Sequence, residues 1–209
     1  MHDGDLLKMS EALDNEIRLA EGAVNEVKRI LSAHKFSDEE WSIVVIAFIA
    51  QGIEQHAAIL LLLRCGLVGS GFALVRSIIE ILVRGVWVTT CATDPQVKRF
   101  RDQDKIDLTF GGMADAIDKA CGIDYFLDFK TKYWETLNSY AHTGMLQLGR
   151  RFTGENLAPS YKDGEQIEVL RASTIAVILL VRPFLMKQSK QAAAEEIDKV
   201  GTAYIVRKK

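Results

Sequence analysis

Residues 70–93 (SGFALVRSIIEILVRGVWVTTCAT) place chemistry where chemistry is expensive. On a helix at 100° per residue, Arg76, Glu80, Arg84 and Trp87 fall within a sector of about 80°. Between Phe72 and Val88 most other positions are Phe, Leu, Ile or Val, so the helix is apolar around most of its girth and reads as buried. Isolated ions are costly to bury, so Arg76 and Glu80, four residues apart, should neutralise one another. Arg84 continues the row and needs its own acceptor. Two readings follow. The stripe is an ion-pair ladder that fixes how the helix docks, or it is a polar pocket. In the pocket, Glu80 serves as acid, base or ligand and the arginine forks hold an anion. Elsewhere in the chain, three residues are candidates to complete such a pocket: His142, Tyr140 and His56.

The elements that carry these residues are helical. Only three prolines occur in 209 residues, and β-branched runs are short. A first amphipathic helix spans residues 5–34. Ser37 with Glu40 reads as a capping box opening a second helix over 38–65, ended by Gly66. His56 falls among Ile49, Ile53 and Leu60 on that helix, a core position first and a pocket position second. The glycine-rich link 66–71 folds the second and third helices into an antiparallel hairpin. Asp94-Pro95 starts a fourth helix over 95–110. Gly111-Gly112 breaks the chain before a short helix at 113–121. A longer helix from Tyr125 carries Phe126, Phe129, Tyr133, Leu137 and Tyr140 on one stripe, read as core packing, with Trp134 to one side. Gly144 marks its end, which puts His142 in or near the last turn. There it is a C-terminal capping histidine or the far wall of the pocket. Arg150 and Arg151 offer a further anion contact. A polar loop over 153–164 is a connector or a lid. A final apolar helix over 165–189 must kink or restart at Pro183, and a short helix at 191–200 follows.

Composition bounds the rest. Hydrophobic residues make up 48% and charged residues 26%, an aliphatic-rich globular balance. The net charge of −2 provides no global field for nucleic acid. The mixed run 95–110 holds Lys98, Arg99, Arg101 and Lys105, but three aspartates dilute it. Cys65, Cys91 and Cys121 form no CxxC pair and read as reduced, buried cytosolic thiols. No signal peptide opens the chain. The most apolar stretch, 43–63, has Gln51, Glu54, Gln55 and His56 at its centre, so no membrane span is expected. There is no HExxH, no Glu-x-x-His pair, no GxSxG and no dinucleotide fingerprint, so neither metal nor cofactor is expected.

The run LVRSIIEILVRGVWVTTCATDPQVKRF, with a later SYAHTG, resembles a bacterial family of uncharacterised helical proteins. Its pattern is an Arg-x-x-x-Glu helix, a Trp further along and a His at a later helix end, here Arg76, Glu80, Trp87 and His142. That family is distantly similar to the HEPN superfamily, nucleotide-binding helical domains of higher eukaryotes and prokaryotes that include toxin and phage-defence ribonucleases. Those enzymes carry an Arg and a His separated by four to six residues. His142 has no such arginine; Arg29 and His34 fit the spacing, but on the first helix and diverging by about 140°. The expectation is therefore an all-α, single-domain bundle over 1–209. It has about six to eight helices around the central hairpin, with helix 5–34 and tail 190–209 peripheral. It is expected in the cytoplasm, as a homodimer. Its function is that of a non-enzymatic binding or regulatory module, with Arg76, Glu80, Arg84, His142, Tyr140 and His56 around a small anionic ligand. The alternative is an RNA-acting enzyme in which Glu80 and His142 are acid and base.

Overall fold

The computed structural model describes residues 9–206, and among them the chain is all-α. In order the helices are α1 (Glu11–Ser32), α2 (Glu40–Arg64), α3 (Val68–Thr90), α4 (Asp94–Gln103), α5 (Phe110–Cys121), α6 (Phe126–Ala141), α7 (Met145–Gly149), α8 (Asp163–Lys187) and α9 (Gln191–Ile205). A two-stranded hairpin, β1 (Phe152–Thr153) with β2 (Asn156–Leu157), lies between α7 and α8. The ninth helix beyond the expected range is the five-residue α7, too short to show a period in sequence.

The central hairpin is α2 and α3. Gly66 supplies the left-handed turn (φ 71°) that only a residue without Cβ adopts cheaply. Three glycines then let the two helices close. Cβ atoms at Gly52, Gly71 and Gly85 would lie 3.5, 3.4 and 3.5 Å from Ile81, Leu63 and Phe48. The paired numbers sum to nearly the same value each time, which is the signature of an antiparallel register. Beside this crossing, α8 lays Leu180 directly over Gly85, where a Cβ would come within 2.3 Å of its Cδ1.

Helix starts differ from the sequence reading by up to six residues: α1, expected from residue 5, begins at Glu11, and residues 5–8 lie outside the described residues. Ser10 caps α1, its Oγ accepting from the Leu13 N–H at 3.2 Å. Ser37 does not cap α2, which begins at Glu40. Instead its N–H and Oγ both pair with the Gln188 side chain at the end of α8, at 3.1 and 3.0 Å. Thr93, not Asp94, caps α4, in a capping box with Gln96. That helix stops at Gln103 because Asp104 turns left-handed (φ 52°). Pro183 does not restart α8, which runs through it to Lys187.

The helix and tail expected at the periphery are packed into the core. Ile17 and Val27 of α1 and Ile197 of α9 are fully buried in the same apolar cluster as α3 and α8. Buried Glu16 ties three helices together: it accepts from the Tyr204 hydroxyl at 2.7 Å and pairs with Arg171 at 3.3 Å. By length and composition, α2 and α8 are apolar enough to cross a bilayer, yet over half of the most apolar window of α8 is buried in the bundle. The three cysteines are free, but Cys65 and Cys121 are exposed rather than buried, because each closes a helix at the surface.

Candidate functional site

Helix α3 buries most of its circumference and leaves one polar strip. Arg76, Glu80 and Arg84 are half-buried rather than sealed inside, with 23%, 27% and 39% of their side-chain surface exposed. Arg76 Nη2 donates to Glu80 Oε1 at 2.8 Å, and Arg84 Nη2 stands 3.9 Å from Glu80 Oε2. The ladder therefore exists, but it is tight at one end and loose at the other. Trp87 falls on the same sector in sequence and is nonetheless core, 2% exposed.

Helix α6 brings the remaining partners. His142 is its C-cap residue, with its N–H on the Asn138 carbonyl at 2.9 Å. The chain then reverses through Thr143 (φ 55°), and the Gly144 N–H returns to the Ser139 carbonyl at 2.7 Å. This corner aims the imidazole at α3, where Arg76 Nη1 donates a short hydrogen bond to His142 Nε2. An arginine only donates, so Nε2 accepts and the ring proton sits on Nδ1. One turn pair back along α6, Trp134 lies under the guanidinium, 5.1 Å from ring centroid to Cζ. Trp134 stacks in turn on Phe110, the first residue of α5, at 3.9 Å. Arg76 thus meets a carboxylate, an imidazole and an indole. Its Nε is buried and has no hydrogen-bond partner among the described residues.

A cavity of about 680 Å³ opens beside this cluster, between α3, α6, the N-terminus of α5 and the loop after α4. Arg76, Arg84 and Lys130 line it against Glu80 and Asp104, a surplus of one positive charge. The N-terminal end of α5 borders it, adding the positive pole of a helix dipole. Lys130 lies over Gly111, where a Cβ would come within 2.9 Å of its Nζ. Lys130, Asp104 and Phe110 were not among the sequence candidates. The one available signal was the Lys130–Trp134 spacing of four, which puts both on one side of α6.

Three candidates do not line the cavity: His142 joins it only through Arg76, and two others lie elsewhere. His56 is sealed in the core, 1% exposed, with Nδ1 3.0 Å from the Ser173 hydroxyl of α8, and it does not line the cavity. Burial pushes its pKa down from 6.5 to about 4. Tyr140 is buried against Phe72, at 5.4 Å between rings, and lines a second groove instead. Arg150 is also remote from the stripe, paired with Glu165 and bonded to the Ser160 carbonyl at 3.1 Å. Ser139 is structural: its hydroxyl accepts from the Leu146 N–H at 3.1 Å.

Residues 49–206 match a family model, more than half of the chain. The chain belongs to DUF6988, a family of unknown function. The DUF6988 match spans α3, α5, α6 and the corner that holds His142, so the whole cavity lies within it. No curated protein and no solved structure matches the chain. The Arg–His spacing noted on the first helix lies outside the matched residues. Arg29 there is occupied, 2.7 Å from Glu26 and 3.0 Å from Glu196.

Proposed function

We propose that the protein is a non-enzymatic binding module that takes a small, multiply charged anion into the cavity beside α3. One observation carries the reading: Arg76, Arg84 and Lys130 surround a single cavity that contains only two carboxylates, and Arg76 still has an unpartnered buried N–H. Three cations converge where a phosphate-type group would fit, and such groups favour planar arginine forks. Phe110 and Trp134 add an aromatic wall against which the ligand's remaining surface can lie.

Isothermal titration with pyrophosphate tests this. The wild-type protein is expected to bind with an affinity that falls as salt rises. Arg84→Gln and Lys130→Gln should each weaken binding about tenfold, the loss of one charge-assisted contact. Absence of binding by wild type at millimolar pyrophosphate and low salt overturns the proposal.

A second reading has its own support. Glu80 and His142 both bind Arg76, which brings a carboxylate and an imidazole to one guanidinium. It calls for turnover of labelled RNA that Glu80→Gln and His142→Ala abolish.

A further inference from the structure

A second groove, of about 600 Å³, runs along a different side of α6 toward the start of α8. It shares no lining residue with the cavity beside α3. Its character is the reverse. Five rings line it: Phe72, Tyr125, Phe129, Tyr133 and Tyr140. Three of these, Phe129, Tyr133 and Tyr140, were expected to pack in the core, yet Tyr133 is 51% exposed, and Tyr125 is nearly as open. Phe129 and Tyr133 stand 5.1 Å apart at 41°, so they do not stack flat and hide their faces in one another. Partial burial pushes the Tyr125 phenol up from its ordinary value.

The charges at the groove also reverse. Asp128, Glu165 and Glu168 face Lys132 and Arg150, a surplus of one negative charge. Two carboxylates are already matched. Asp128 holds Lys132 at 2.7 Å, and Glu165 holds Arg150. Burial alone would raise the Glu165 carboxyl, but the Lys162 N–H and the Arg150 guanidinium outweigh it and keep it low. The surplus therefore sits on Glu168, whose side chain forms no ion pair or hydrogen bond among the described residues. Ring faces carry the negative end of the aromatic quadrupole, and a nearby carboxylate adds to it. A concave site with both is matched to a cation whose surface is apolar.

We propose that this groove binds a small organic ammonium ion, its alkyl surface on the Tyr125, Phe129 and Tyr133 rings and its charge toward Glu168. An anion is disfavoured by the net charge. A neutral apolar ligand would gain the rings but not the carboxylate. The site is independent of the anion cavity, so either can fail without the other.

The test is an NMR titration with choline and with 3,3-dimethylbutan-1-ol, its uncharged isostere. Choline should bind about tenfold more tightly, the range of a partly desolvated cation–ring contact. Tyr133→Leu keeps the apolar area and removes the quadrupole; Glu168→Gln removes the charge. Both side chains are exposed, so both variants should fold as wild type does. Each is expected to reduce the preference for choline several-fold and to leave pyrophosphate binding unchanged. Equal affinity for the two probes, an unchanged preference in both variants, or no shifts on α6 at millimolar choline overturns the proposal.

Discussion

Arg76 explains why sequence spacing alone left the stripe ambiguous. An Arg-x-x-x-Glu pair on a helix guarantees a local ion pair, and that pair formed, at 2.8 Å. It did not reveal that the same guanidinium would also meet His142 and Trp134, residues more than fifty positions away. The role of Glu80 can be separated by charge. In the anion-binding reading, Glu80 competes with the ligand for Arg76 and Arg84. Glu80→Gln removes that competitor. One unit charge at about 6 Å under water-like screening is worth roughly 0.7 kcal/mol. The variant should therefore bind pyrophosphate about threefold more tightly, measured by titration calorimetry. It should lose about 0.5–1 kcal/mol of stability, the usual worth of a partly exposed pair. If Glu80 is instead a catalytic acid or base, the variant gains no affinity and loses RNA turnover. The two readings thus move opposite quantities.

At the scale of elements, the site depends on one corner. Gly144 is not needed for its own backbone angles, since its φ of −72° suits any residue. It is needed for space. A Cβ there would lie 2.9 Å from the Ser139 Cα and 3.0 Å from its carbonyl oxygen. Backbone cannot swing aside as a side-chain tip can, so Gly144→Ala must open the α6–α7 turn. The expected cost is about 1–3 kcal/mol by thermal melting, with the His142 ring signals shifted as the imidazole leaves Arg76. An unchanged melting temperature and unchanged ring signals would show that the corner does not position His142. The same corner marks the limit of what the sequence disclosed. Long helices were legible because apolar residues recur at 3.6 spacing over many turns, as in Leu13, Ile17, Ala20, Val24 and Val27 of α1. The hairpin was legible from Gly66. The far wall of the cavity was not. Asp104 ended α4 early by turning left-handed, and the freed loop carried Ile106 and Leu108 over the arginines. No periodicity encodes a loop folding back on a helix. The aromatic stripe of α6 misled for a related reason: its spacing implied a covered face, but α6 packs mainly on α3 and α5, and Tyr133 remains in a groove. A short helix was legible at 191–200, but the burial of α9 was not, because Ala193 and Ala194 bury little surface each and leave a weak apolar signal.

For the molecule as a whole, the weak point in acid is the junction of α1, α2 and α8 around His56. Its pKa of about 4 lies below the ordinary 6.5 because burial disfavours the imidazolium. The sign follows from proton uptake. Below pH 6.5 the unfolded chain binds a proton at this residue and the folded one does not, so stability falls as pH drops from 6.5 toward 4. Above 6.5 the group contributes nothing further. Between pH 7 and pH 5 the loss is about 2 kcal/mol, with most of the remainder appearing by pH 4. Carboxylates whose pKa the fold lowers, Glu21 and Glu165 among them, also lose stabilising charge toward acid, so the wild-type profile alone does not isolate the histidine. His56→Leu does. Ser173, its partner, keeps a second bond to the Leu170 carbonyl at 3.0 Å, so the substitution strands no hydroxyl. Urea unfolding of both proteins at pH 7 and pH 5 gives the difference directly. The variant should lose about 2 kcal/mol less than wild type over that interval. Parallel losses in the two proteins would mean that His56 is protonated as readily in the fold as in the unfolded chain, and that the helix junction is wetter than its burial implies.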